Sequence, residues 1–235
     1  MATNPSGLQE RRSFLSRIAA GAAIAVSTVF KSQPAAAQSI SAASWRPARH
    51  AQDDWLDQIP GSHRFIIDTT SPSGLGSALL FANNFFVANQ QGYGLGNADA
   101  AVVIVLRHNS TGFAYSDAMW AKYSTAIGEA AGNFDDPKTK TKPTLNVYNS
   151  GNYLGALPNG GVTIDALAGR GVHFAVCQMA TRRFAGAIAA AHKLDAEAVY
   201  KELTSNLVRN SHMVAAGIVA VNRAQERGYA FANAG

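Results

Sequence analysis

The chain has 235 residues, 47% of them hydrophobic and 15% charged, which excludes a largely disordered polypeptide and is enough for one domain with a full core. The net charge is +5, but residues 1–37 hold +3 of it through Arg11, Arg12, Arg17 and Lys31 against Glu10. With no basic stripe interleaved with aromatics, nucleic-acid binding is not expected. A single cysteine, Cys177, permits no internal disulfide and no metal centre built on several thiolates.

Residues 1–37 read as a targeting segment. Glu10-Arg11-Arg12-Ser13-Phe14-Leu15 precedes an apolar stretch, Ile18 to Phe30, and Ala35-Ala36-Ala37 forms a small-residue cleavage site before Gln38. The adjacent arginines followed by Phe14 and Leu15 resemble a twin-arginine export signal. Glu10 and Ser16 depart from the usual residues of that motif. The apolar stretch is too short for an ordinary membrane span. The expectation is a leader cleaved near Ala37, a periplasmic location, and no stable membrane span after cleavage.

Residues 38–62 read as an irregular N-terminal arm. Asp53–Leu56 suits a short helical turn, and Trp45 and Trp55 are anchors for the arm, on the domain or on a partner subunit. His63–Asp68 is the first expected strand. Thr69–Gly76 is a polar loop, with Ser73 as N-cap for a helix over Leu75–Gln90. Its lone Gly-x-Gly is better explained by turn chemistry than by phosphate binding.

After the break at Gly92–Asn97, Ala100–Leu106 is a continuous β-branched and apolar run, the pattern of a strand buried on both faces. The polar residues that follow, Arg107 to Gly112, are a candidate site rim. A helix is expected over Asp117–Ile127. Residues 128–161 break the pattern: Asp135-Asp136-Pro137, alternating lysines at 138, 140 and 142, then an Asn/Gly-rich stretch. A connection this long suits a lid, an interaction loop or a disordered insert.

Thr163 caps a short helix, Ile164–Ala168, stopped by Gly169 and Gly171. Next come a strand over Val172–Val176, then Cys177, then a helix with Ala180, Phe184, Ala187, Ile188 and Ala191 on one face. Asp195 caps a helix over Ala196–Leu207. Ser211–Val214 is a short strand, Ile218–Arg227 a helix stopped at Gly228, and Tyr229–Phe231 a last strand. Strands alternating with helices imply an α/β fold. The expectation is a single three-layer domain over 63–235, with a mostly parallel sheet of about five strands and helices on both faces.

Cys177 stands where a strand hands over to a helix. Backbone N–H groups and the positive end of the helix dipole favour a thiolate there. Arg182 and Arg183 follow closely, and His108, after a neighbouring strand, can orient a reactant or exchange a proton. His173 shares a strand face with Ala175 and Cys177 and suits a satisfied histidine under the helix layer or at a subunit contact. The histidines show no zinc-type spacing, and there is no Gly-x-Ser-x-Gly elbow or P-loop, so no metal and no cofactor are implied.

Three segments together, Gly171-Val-His-Phe-Ala-Val-Cys-Gln-Met-Ala, His212-Met-Val-Ala-Ala-Gly-Ile-Val-Ala-Val and Gln225-Glu-Arg-Gly-Tyr-Ala-Phe, resemble the DsrE/DsrF-like family of sulfur-relay proteins. The resemblance covers roughly residues 63–232. It implies a compact parallel sheet, a homo-oligomer, and a cysteine that carries sulfur as a persulfide, here Cys177. Partners would be a sulfur donor or acceptor protein or a small sulfur compound, in a pocket near Thr69, His108 and Asn109. The leader, the arm and the 128–161 insert fall outside the compact family core. The alternative is a non-catalytic periplasmic module that binds a small ligand or assembles with partners, with Cys177 as core packing.

Overall fold

A computed structural model describes residues 46–235. The leader and the first part of the arm, residues 38–45 with Trp45, lie outside the described residues. Residues 47–235 form one compact unit, in chain order α1 (Trp55–Gln58), β1 (His63–Thr69), α2 (Pro72–Tyr93), β2 (Ala100–Leu106), α3 (Asp117–Ala130), α4 (Ile164–Gly169), β3 (His173–Cys177), α5 (Gln178–His192), α6 (Ala196–Thr204), β4 (Ser211–Val214), α7 (Gly217–Gln225) and β5 (Ala230–Asn233).

The five strands form one all-parallel sheet in the order β4-β3-β2-β1-β5. β2 lies in the middle and is buried along its whole length, as its unbroken apolar run predicts. The two faces carry separate cores. On one, Ile67, Val102, Ile104, Leu106, Phe174 and Val176 pack with side chains of α2 to α6. On the other, Ile66, Ala101, Val103, Val105, Ala175 and Val214 meet, among the described residues, α7, the arm residues Trp55, Leu56 and Ile59, and Tyr229. The domain is therefore a three-layer α/β fold with helices on both faces.

Several boundaries differ from the sequence expectation. α2 begins at Pro72 and is capped by Ser71, whose hydroxyl accepts from the Gly74 N–H at 3.0 Å; Ser73 lies inside the first turn. Proline at the first helical position, where no N–H is required, sets this start. α6 ends at Thr204, three residues short of the expected Leu207. Thr163 and Asp195 cap α4 and α6 as their side chains predict.

Of the expected insert over 128–161, residues 128–130 complete α3 and the remainder is packed onto the domain. Val147, Tyr148, Tyr153 and Leu157 are buried in the larger core. The Tyr148 hydroxyl donates to the Pro72 carbonyl at 2.6 Å. Asp136 accepts from the N–H groups of Lys138 and Thr139 and from the Tyr153 hydroxyl, which closes the lysine turn. Gly76 is explained by this segment: a Cβ there would lie 2.6 Å from Pro158 Cγ and 3.0 Å from the Tyr148 ring. The second glycine of the Gly-x-Gly thus serves close packing.

Candidate functional site

The carboxyl ends of β2 and β3 and the start of α7 enclose a cavity of about 230 Å³, lined by Arg107, His108, Cys177, the first turn of α5, Arg183 and Ala216–Ile218. In an open parallel sheet, strand ends are where ligands meet loops and helix N-termini together. Alternation along β3 turns Phe174 and Val176 toward the larger core and Ala175 toward α7, so Cys177 falls on the α7 side with the cavity.

Cys177 is 6% exposed. It is both the last residue of β3 and the N-cap of α5, and its Sγ accepts from the Ala180 N–H at 3.4 Å. The sulfur therefore occupies the position that a Ser or Asp side chain fills at an ordinary helix start. The Thr181 hydroxyl donates to the Cys177 carbonyl at 3.0 Å and fixes the turn. Across the cavity, α7 begins after Ala216, which offers no capping side chain, so the first N–H groups of α7 lack a side-chain partner at the cavity wall.

Arg107 follows β2 directly and opens the polar rim expected over Arg107–Gly112; its pairing with Asp68 is what the rim alone does not announce. Its Nε donates to Asp68 Oδ1 at 2.8 Å and its Nη2 to Asp68 Oδ2 at 2.7 Å, a bidentate pair. The Asp68 side chain is 2% exposed and that of Arg107 18%. Hydrogen bonding to Asp68 raises the Arg107 guanidinium above its ordinary pKa; burial opposes the rise, and the charges of Asp68 and Cys177 add to it. Gly217 makes the approach possible: a Cβ there would lie 2.7 Å from Arg107 Cβ and 2.8 Å from Cδ. The available signal was positional. An acid near the end of one buried strand and a base just past the end of its parallel neighbour fall side by side.

The residues expected at the site separate into two groups. His108 lines the cavity with Cys177 and has φ 53°, a left-handed conformation uncommon for a residue with a Cβ. Arg183 also lines it, donating to the carbonyls of Ala130 (3.0 Å) and His108 (3.2 Å). Arg182 turns away to Glu197 and the face of Tyr200. Thr69 does not line the cavity. It is fully buried, donates to the Val105 carbonyl at 2.6 Å and lies 2.9 Å from the Ser110 hydroxyl. Ser110 in turn accepts from the Arg107 N–H at 3.1 Å, so Thr69 supports Arg107 from behind. Asn109 is also outside the cavity lining. Its side chain accepts from Arg183 and sits where a Cβ on Gly132 would fall.

The remaining histidines include one close pair. His173 Nδ1 and His212 Nε2 are 2.8 Å apart, and Trp55 of the arm stacks on His212 with ring centroids 4.0 Å apart and planes 7° from parallel. Burial lowers His173; burial together with the nearby His173 pushes His212 down to about 4. The β3–β4 register sets His212 opposite Ala175, and His173, two residues earlier on the same strand face, is its diagonal neighbour, a proximity that spacing along the chain does not reveal. Among the described residues, no group of three or more His, Cys, Asp or Glu side chains is placed to hold a metal ion, and no helix is long and apolar enough to cross a membrane. No family model, no curated protein and no solved structure matches the chain.

Proposed function

We propose that this is an exported protein of the periplasm that carries sulfur as a persulfide on Cys177, in the manner of the DsrE/DsrF-like proteins its sequence resembles. The observation that carries this reading is the placement of the only thiol. Cys177 sits at the carboxyl end of β3, an inner strand, at the N-terminus of α5 and on the wall of a cavity that also presents Arg107 and His108. Cationic surroundings and a helix N-terminus are what a reactive thiol requires.

The reaction is a sulfur exchange. The Cys177 thiolate attacks the outer sulfur of a donor persulfide, R–S–SH; the inner S–S bond breaks, R–S⁻ leaves, and Cys177 becomes Cys–S–SH. Electrons and protons balance without a further oxidant. The donor is a sulfur-carrying protein or a small sulfur compound, and the working form is a homo-oligomer.

Incubation with a persulfide donor followed by intact-mass spectrometry tests this directly. Wild type should gain the mass of one sulfur atom, reversible by a thiol reductant, and Cys177→Ser should gain none. Identical spectra from the two proteins would refute the reading. They would favour a non-catalytic ligand-binding or assembly module instead, for which the 6% exposure of Cys177 is the supporting observation.

A further inference from the structure

The ionisable lining of the Cys177 cavity is one-sided. Besides the thiol it consists of Arg107, His108 and Arg183, with no aspartate or glutamate. The acid that balances Arg107, Asp68, lies behind the guanidinium at 2% side-chain exposure and is not part of the lining. A reactant in the cavity therefore meets the cation first.

The guanidinium also has capacity to spare. Nε and Nη2 are committed to Asp68. Among the described residues, no hydrogen bond from Nη1 has a protein acceptor, whereas both terminal nitrogens of Arg183 are bonded. An arginine has five N–H donors in a rigid fork, so the Asp68 grip fixes the orientation of those that remain. Gly217 lies against the Cβ and Cδ of Arg107, and Ser110, bonded to Thr69, accepts from the Arg107 backbone N–H, so the residue is also held at its base.

We infer that Arg107, oriented by Asp68, recognises the negative charge of the reactant, so that Cys177 reacts with small anionic partners in preference to neutral ones of the same size. This rests on Cys177 being a reacting thiol and names the class of molecule it meets. Asp68 is a positioning residue, acting only through Arg107.

The single thiol makes the test clean, since every alkylation reports on Cys177. Rates with iodoacetate (an anion) and iodoacetamide (its neutral counterpart) are measured on the full chain, native and denatured. The native ratio of the two rates should exceed the denatured ratio by about fivefold, the effect of one nearby unit charge in a solvent-reached site. The combined change Asp68→Asn with Arg107→Gln leaves no buried charge unpaired and should return the ratio to the denatured value. Arg107→Lys should keep part of the preference. Inorganic sulfate should slow the native iodoacetate reaction, a readout that needs no variant to fold. A native ratio equal to the denatured one, or no effect of sulfate, overturns the inference. The outcome is independent of sulfur transfer: a charge preference without sulfur gain refutes the persulfide reading alone, and sulfur gain without a charge preference refutes this one alone.

Discussion

At the scale of single residues, Gly217 decides how closely α7 approaches Arg107. Its φ is not in the left-handed region, so the backbone alone would accept alanine, which normally gains about 0.5–1 kcal/mol over glycine in a helix. The side chain would not be accepted: its Cβ would stand 2.7 Å from Arg107 Cβ and 3.0 Å from Val105 Cγ1. Both contacts are with groups held at the end of β2, and the guanidinium is tied to Asp68. Overpacking of this kind costs about 1–3 kcal/mol, which outweighs the helical gain. Gly217→Ala should therefore lower stability in urea unfolding by about 1 kcal/mol or more and reduce the iodoacetate preference of Cys177. A variant as stable as wild type would mean that Arg107 yields and is not rigidly placed.

At the scale of elements, the connection between α3 and α4 is held by buried aromatics rather than by regular structure. Tyr148 is 1% exposed, and its hydroxyl reaches the first turn of α2. Removing that hydrogen bond with Tyr148→Phe should cost about 1 kcal/mol, seen as a lower unfolding midpoint with an unchanged far-ultraviolet spectrum. No loss would show the ring alone to be sufficient. This connection also shows what the sequence leaves illegible. β2, β3 and the caps Thr163 and Asp195 announce themselves through local pattern. Tyr148, Tyr153 and Asp136 do not, because their partners lie at long range and no period of 2 or 3.6 links them. The site divides in the same way. Cys177 at a strand–helix junction and His108 just past β2 were legible. The Asp68–Arg107 pair and the His173–His212 pair were not, since each joins residues 39 positions apart across neighbouring parallel strands, two places off register. Thr69, expected beside the pocket at the start of a polar loop, instead has its hydroxyl consumed by the Val105 carbonyl and Ser110.

At the scale of the whole molecule, the sheet is covered unequally, and the thinner side is where acid should act. Among the described residues, α7, the arm and Tyr229 close the second face. The arm is held by the Tyr229 hydroxyl and Arg64, which both donate to the Leu56 carbonyl, by Arg227 on Asp57, and by Trp55 stacked on His212. The charged groups of the arm and α7 pair among themselves: Asp53 with Arg223, Asp54 and Asp57 with Arg227, Glu226 with Arg223. Among the described residues none of these carboxylates hydrogen-bonds an imidazole, so no acid offsets a proton placed on the His173–His212 pair. The folded His212 value of about 4, against an ordinary 6.5, means that between these limits the unfolded chain binds a proton that the native state refuses. Stability from this group is then fully present above about pH 6.5, declines as the pH falls toward 4, and changes no further below it. His173, lowered in the same direction, adds to the slope. Attraction of an imidazolium to the Trp55 face opposes it by about 0.5–1 kcal/mol. His212→Phe keeps a ring against Trp55 and removes the proton site. Urea unfolding of wild type should show a lower midpoint at about pH 5 than at pH 7, and the difference should shrink in His212→Phe. A wild type that gains stability on acidification would show the Trp55 face winning over burial, and the arm would then be fastened by acid instead of loosened.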